Sequence, residues 1–490
     1  MRSLRSTSLS LTVLAVAALA PWQTGVALQR DEPLPADAVE QTLSDFQRAL
    51  DERWSYRHAN DADFGGAVEA LRQRAAAGIT VDQLGLELQK IISLGIDGHA
   101  AVSWFRLPNE RYLPFLVEPV GDRFVAFWPD RSGFVEADSP YLARIDGLTI
   151  SQWREAAAPL APQGSPQYVR RNALRALRAI EFLRQLAGVA PSDVVRVELE
   201  SRDGQRVKTV ELPLAERGPV YGTWPQAMSR FMPGGVGYLR LPSMDGGAVA
   251  AIRQWMPRFA DEAGLVVDVR DNGGGSRDAL LELYRWLAAP DDPPRVANAA
   301  AYRLHPQHDR DHLAARFMYR ADSPHWTPRQ RSAIDDFTER FAPQWEPTVE
   351  QFSAWHYLVL DAAESDGHAR FDKPVVVLMN AKCFSATDIF LAGMASLPQV
   401  TLLGTASGGG SARSQTVRLG PTGLRLRIGS MASLQPDGRL FDGHGVAPDV
   451  VVEPTPEYFI GGEDRQLQAA LELIRSRAAE PAPASDAAPQ

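Results

Sequence analysis

Lys373-Pro-Val-Val-Val-Leu-Met-Asn-Ala-Lys-Cys-Phe-Ser385-Ala-Thr-Asp-Ile-Phe390 is the stretch on which the reading of this chain turns. Residues 374–379 are a run of β-branched and apolar side chains, the pattern of a strand buried on both faces in a parallel sheet. Over residues 386–397, Ile389, Phe390, Met394 and Leu397 recur at helical spacing. Gly393 weakens that helix slightly but would let another backbone pack closely. Ser385 therefore falls at a strand-to-helix turn, where the first helical N–H groups are unpaired and the dipole is positive. A hydroxyl there has an anion-stabilising site beside it, which acyl-transfer chemistry needs next to its nucleophile. On this stretch alone two readings stand open. Ser385 is a nucleophile, or it is an N-cap with Asp388 three residues on completing a weak capping pair.

Upstream, residues 236–241 read as a strand, and Val249, Ile252, Met256 and Phe259 mark a helix. Residues 264–270 are a second buried strand, followed by Asp271-Asn-Gly-Gly-Gly-Ser276 and a helix through Leu280, Leu283 and Leu287. This βαβα order implies a parallel sheet. The glycine run is either a plain turn or a place where backbone N–H groups meet an anion. It is not a nucleotide P-loop, because no Gly-Lys-Ser/Thr follows at the right spacing. Residues 295–370 read as a polar, partly helical insertion, with Trp355-His356 starting a more apolar helix. Its His305-Pro-Gln-His308-Asp-Arg-Asp-His312 run has superficial metal-ligand spacing but no buried surroundings, so no metal is expected. Beyond the Ser385 helix come a strand at 400–403, a loop at 404–411, a hairpin of 415–419 with 424–428, and a final helix at 467–474.

At 490 residues the chain is long enough for about three domains, and its 45% hydrophobic content is that of an ordinary globular protein. A formal charge of −9 argues against a nucleic-acid partner. Residues 1–27 read as a secretory signal: Arg2 and Arg5, an apolar segment at 9–20, and small residues at Gly25-Val-Ala27. The apolar run is too short to span a bilayer, so the mature protein is expected to start near Leu28, periplasmic or secreted and without a membrane span. The single cysteine, Cys383, excludes an intramolecular disulfide and reads as a buried structural thiol. Asp37 is an expected N-cap of the first of three helices over residues 37–92, which end at a turn carrying His99. Residues 112–214 are mainly short strands, with a hairpin about Asp203-Gly204 and a helical, Arg-rich stretch at 153–186.

Several motifs together resemble one family, the C-terminal processing (tail-specific) serine proteases. They are Asp97-Gly-His99, Asp268-Val-Arg270-Asp-Asn272-Gly-Gly-Gly275, Asn380-Ala-Lys-Cys-Phe-Ser385-Ala386, Gly443-His-Gly-Val446-Ala-Pro448-Asp449 and Asp464-Arg-Gln-Leu467, in the family's order. Tyr112-Leu-Pro-Phe115 with residues 137–147 resembles a PDZ domain. The resemblance implies an α/β fold: a crotonase-like (ClpP-like) protease core with an N-terminal helical segment and an inserted PDZ-like β-rich module. The expected organisation is a signal at 1–27, helical bundle at 28–104, PDZ-like module with helical insert at 105–218, core at 219–462 with insertion 295–370, helix at 463–478 and disordered tail at 479–490.

The family's Ser–Lys variant carries a lysine in a Gly-Lys-Gly loop, but Thr405-Ala-Ser-Gly408-Gly-Gly-Ser411 has none. The chain thus looks tricorn-like, with a Ser–His–acid triad. By that resemblance Ser385 is the nucleophile, His99 the base and Asp442 the orienting acid, where the family usually has Glu. The N–H groups of Ala386 and Gly274 would form the oxyanion hole. Lys382, expected to face solvent, His444 and Asp388 are the competing side chains. The resemblance implies a peptidase acting on proteins or peptides, gripped by strand addition to the PDZ-like module, without cofactor or metal. It leaves the oligomeric state open. Two alternatives remain: a non-catalytic binding protein on the same fold, and acyl-CoA chemistry, which the export signal disfavours.

Overall fold

Branched apolar side chains pack well on a pleated surface, and they make Val375–Met379 a strand with two buried faces. Val375, Val377 and Met379 enter the larger core with Leu280, Leu283 and Phe390. Val376 and Leu378 face the other way, beneath Leu471 and Ile474. The structure, a computed structural model, describes residues 30–305, 311–362 and 370–479. The expected signal segment, part of the His305–His312 run and the tail beyond 479 lie outside the described residues. Among the described residues no helix is long and apolar enough to cross a membrane.

The Val375–Met379 strand pairs in parallel with Gly264–Asp268 on one side and Val400–Gly404 on the other. Val236–Arg240 and Val450–Val451 extend the sheet in parallel, and Arg230–Met232 closes it antiparallel. Helices Gly246–Trp255, Asp278–Leu287 and Ala386–Met394 lie in the crossovers, as parallel neighbours require. Helix Arg465–Ala479 covers the opposite face. Because the strands are parallel, the loops after Asp268, Met379 and Gly404 all emerge at one edge.

A second sheet departs from the sequence reading. Residues from Trp355 were expected to begin a helix, but His356–Leu360 is a buried strand. It pairs antiparallel with Arg295–Tyr302, which in turn pairs with Met431–Leu434. The expected polar insertion at 295–370 therefore begins with one core strand and carries another near its end, and helix Pro328–Thr338 packs against both. Five residues are too few to separate a buried strand from a buried helix by periodicity.

The three N-terminal helices are Ala36–Arg53, Phe64–Ala75 and Val81–Ile92. The first is preceded by Pro35, so Asp37 lies inside its first turn rather than at the cap. These helices share a core with hairpin Ser414–Leu419 and Leu424–Gly429, to which strand Ala101–Ser103 is added. A separate core joins antiparallel strands Leu116–Val120, Arg123–Phe127, Tyr141–Ile145, Val194–Glu200 and Val207–Pro213 to helices Ile150–Ala157, Pro166–Ala176 and Ile180–Ala187.

Docking of the last helix rests on a glycine. A methyl group at Gly264 would overlap Cγ2 of Ile474 and stand 3.0 Å from the Pro374 carbonyl. Gly264→Ala should cost about 1–3 kcal/mol in urea unfolding. Pairing it with Ile474→Leu, which removes that branch, should recover part of the loss; no recovery would mean that the helix is not what the methyl meets.

Candidate active site

Ser385 ends the turn that follows the Val375–Met379 strand, and its backbone stands at φ 62°, ψ −120°. A side chain with a Cβ rarely adopts this region, and such strain persists only where the surroundings enforce it. The Ser385 side chain makes no capping hydrogen bond, so the N-cap reading does not hold. Asp388 completes no capping pair either. It is buried, and accepts from the Ser407 hydroxyl and from the N–H groups of Gly409 (3.2 Å) and Gly410 (3.1 Å).

Asn272, fully buried, holds the strained turn. Its carbonyl accepts from Phe384 N–H (3.1 Å), and its side-chain oxygen accepts from Thr387 Oγ1 (2.8 Å) and Gly274 N–H (2.9 Å). Its amide donates to the Leu241 carbonyl at 2.9 Å. Gly274 lies so close that a Cβ there would stand 2.7 Å from Ser385 Cβ. The glycine run therefore does reach the Ser385 turn, but the Gly274 N–H, expected to be free for an oxyanion, is given to Asn272. The Ala386 N–H, first in its helix, donates to no group among the described residues.

His99 arrives from the turn after the third N-terminal helix, 286 residues from Ser385 in sequence, with Nε2 at 3.3 Å from Ser385 Oγ. Its ring packs on Phe384 at 4.7 Å, and Phe384 stacks on Tyr168 at 4.5 Å. Tyr168 belongs to helix Pro166–Ala176, whose Ser165 cap donates to the Gly408 carbonyl and whose Gln167 donates to the carbonyls of Ser407 and His444. The imidazole is buried, and burial together with Arg427 and Arg316 pushes its pKa down to about 3. It is neutral at physiological pH.

Asp442, the expected orienting acid, is fully buried behind His99 but does not bond it. Its carboxylate accepts from Tyr56 Oη (2.7 Å), Ser411 N–H (2.9 Å) and Gly98 N–H (3.0 Å). Asp97 accepts from Trp54 Nε1 (2.9 Å), Gly429 N–H (2.7 Å) and His99 N–H (2.8 Å). A ring nitrogen of His99 and one oxygen from each carboxylate lie within 4.8 Å of one another, while His99 Nδ1 is buried without a partner. Each oxygen of the two carboxylates accepts from at least one protein donor. Burial, then the charge of the other carboxylate, raises Asp442, and burial raises Asp97.

The competitors lie elsewhere. Lys382 is not solvent-facing: it is partly buried, pairs with Asp271 at 3.5 Å, and burial lowers its pKa. His444 forms no hydrogen bond to Ser385 among the described residues and leaves Nδ1 buried without a partner. Cys383 is buried, donates to the Val269 carbonyl, and burial pushes its thiol up to about 12. Sequence reasoning gave no site role to Tyr56, Trp54 and Tyr168, which carry no motif and reach the site through long-range hydrogen bonds and stacking. Asn272 was visible inside the Asp-Asn-Gly-Gly-Gly run, but its tie to the turn was not.

With this geometry in hand, comparison finds that residues 235–452 match the model of Peptidase family S41. A 91-residue stretch is 34% identical to a carboxy-terminal-processing protease of Bartonella bacilliformis, covering 18% of this chain and 21% of the relative. The match thus spans about a fifth of that curated relative's length. Mature CPAF superposes with a TM-score of 0.62 at 15% identity, over 90% of this chain and 97% of the other. Mature CPAF complexed with lactacystin gives 0.60 at 15%, over 90% and 98%. At that identity the likeness is one of fold, and the α/β protease fold is common to them.

Asp388 carries a prediction about pH. Burial pushes its carboxyl up to about 8, against the hydrogen bonds from Ser407, Gly410 and Gly409. An unfolded Asp titrates near about 3.9, so the native state holds the extra proton across that interval. This contribution to stability is fully present below the unfolded value and is lost as pH rises through about 8. Thermal unfolding of the wild type should fall from pH 5 to pH 9 more steeply than that of Asp388→Asn. Parallel profiles would remove the assignment.

Proposed function

We propose that this chain, whose residues 235–452 form a peptidase family S41 domain, is an exported serine endopeptidase of the Ser–His–acid type, acting on protein or peptide substrates. The observation that carries the reading is Ser385 Oγ at 3.3 Å from His99 Nε2, on a strained turn at a helix N-terminus. Ser385 attacks the peptide carbonyl: the Oγ–C bond forms while the hydroxyl proton passes to the neutral Nε2. The same proton then goes to the departing amine as the C–N bond breaks. Water, deprotonated by His99, releases the acid from Ser385. Ala386 N–H meets the oxyanion, and Gly274 serves as second donor by sharing the N–H it gives Asn272.

In this reading Asp442 is the triad acid. Catalytic hydrogen bonds often tighten only around substrate, and a short approach would bring Asp442 to the open Nδ1–H. The absence of lysine from residues 405–411 supports this type over a Ser–Lys dyad. The core is crotonase-like, and the Leu116–Pro213 sheet with its helices is the PDZ-like module. Its outermost strand, Val207–Pro213, has Val207 58% exposed and would take a substrate segment by strand addition. Residues 1–27 direct the chain out of the cytoplasm. The unclosed His99–Asp442 link is what favours the second reading, a non-catalytic peptide-binding protein on this fold.

A fluorophosphonate probe with mass spectrometry separates the two. The expected outcome is an adduct on Ser385, absent in Ser385→Ala and slowed at least about 10²-fold in His99→Ala. A folded protein that fails to label is a binding protein or a latent, zymogen-like form.

A further inference from the structure

Beside the glycine run lies a cavity of about 320 Å³ lined by Gly275, Ser276, Arg277, His312, Ala315, Arg316 and Arg413. No carboxylate lines it among the described residues, and none of Arg277, Arg316 and Arg413 takes part in an ion pair there. Arg277 is the most constrained of the three. It is 3% exposed, donates to the Arg316 carbonyl (3.2 Å) and Asn298 Oδ1 (2.9 Å), and keeps a buried Nε–H without a partner. It also sits at the N-cap of helix Asp278–Leu287, where the dipole is already positive and favours an anion. Asp278, next in sequence, is exposed and lines a neighbouring cleft with Arg253.

A buried guanidinium without a counter-ion is costly, and the cost is relieved when an anion joins it. We propose that this cavity binds a carboxylate of the peptide substrate close to the scissile bond, an inference that rests on the peptidase reading above. Its position supports this: Gly275 follows Gly274, which abuts Ser385. Guanidinium forks match carboxylates in shape as well as charge. Burial and then Arg316 weaken the Arg277 proton affinity to about 9, and Arg316 is among the charges that depress His99. A carboxylate seated here offsets that field, so the substrate that fills the cavity also makes His99 a stronger base. The carboxylate comes from an Asp or Glu side chain or from the end of the substrate chain.

The test uses the full chain carrying Ser385→Ala, which cannot turn over, and short fluorescent peptides in matched pairs: Asp against Asn at each position, and free acid against C-terminal amide. Acid-bearing peptides should bind roughly ten- to a hundredfold tighter, the worth of a charge-assisted hydrogen bond, and Arg316→Gln or Arg413→Gln should shrink that ratio. A preference confined to Asp over Asn identifies a side chain; one confined to free acid over amide identifies a chain end. Equal binding of acids and amides by folded protein overturns the proposal, as does a preference untouched by both Arg variants. Fluorophosphonate labelling of the wild type is read alongside. Labelling without an acid preference leaves the peptidase and removes the pocket; an acid preference without labelling leaves the pocket in a binding protein.

Discussion

Asn272 is the residue on which the candidate site depends. One buried amide and its backbone carbonyl connect the Leu241 strand end, the glycine run, the Phe384 N–H and the first turn of the Ser385 helix. These groups meet because Gly264–Asp268 and Val375–Met379 are parallel neighbours, so their following loops leave the sheet side by side. A buried polar network of this kind is stable only when each member is satisfied, and here the Asn272 side-chain oxygen and its amide are both engaged. The positive φ of Ser385 is held by this net rather than by its own sequence.

Charge is sorted around the Ser385–His99 pair. Asp97 and Asp442, each accepting from several donors, lie beside His99, while the arginine-lined cavity adjoins the glycine run and its Arg316 acts on His99. A third group joins the flanking module to the core: Arg171 bridges Glu118 and Asp271 at 2.9 Å each, Arg175 also meets Glu118, and Lys382 reaches Asp271. Burial alone would raise both carboxylates, yet the surrounding cations hold Glu118 below its ordinary value and Asp271 well below. Breaking one member of such a cluster leaves uncompensated buried charge, which ties the helix over the site to the loop beneath it.

Much of the frame was legible from the chain. The apolar run before Ser385, the helical spacing after it and the βαβα order of residues 236–287 report burial pattern, which is local information. Short buried segments were not: His356–Leu360 reads alike as helix or strand until a partner strand is known. Ser385 resembled a cap because Ser is a preferred cap residue, and only its dihedral angles and empty side-chain capping position set it apart. Lys382 looked exposed because lysine usually is, yet Asp271, itself at φ 60°, draws it inward.

By itself the sequence determined the βαβα elements of residues 236–287, the strand-to-helix turn at Ser385, the placing of His99 on a turn, and the absence of a lysine from residues 405–411, since each follows from neighbours a few positions away. Only the tertiary structure decided what meets what. It brings His99 across 286 residues to Ser385, leaves Asp442 bonded to Tyr56 rather than to the imidazole, spends the Gly274 N–H on Asn272, and gathers Arg277, Arg316 and Arg413 around one cavity. Those outcomes turn on hydrogen-bond partners and burial supplied by distant segments, and no local pattern carries them.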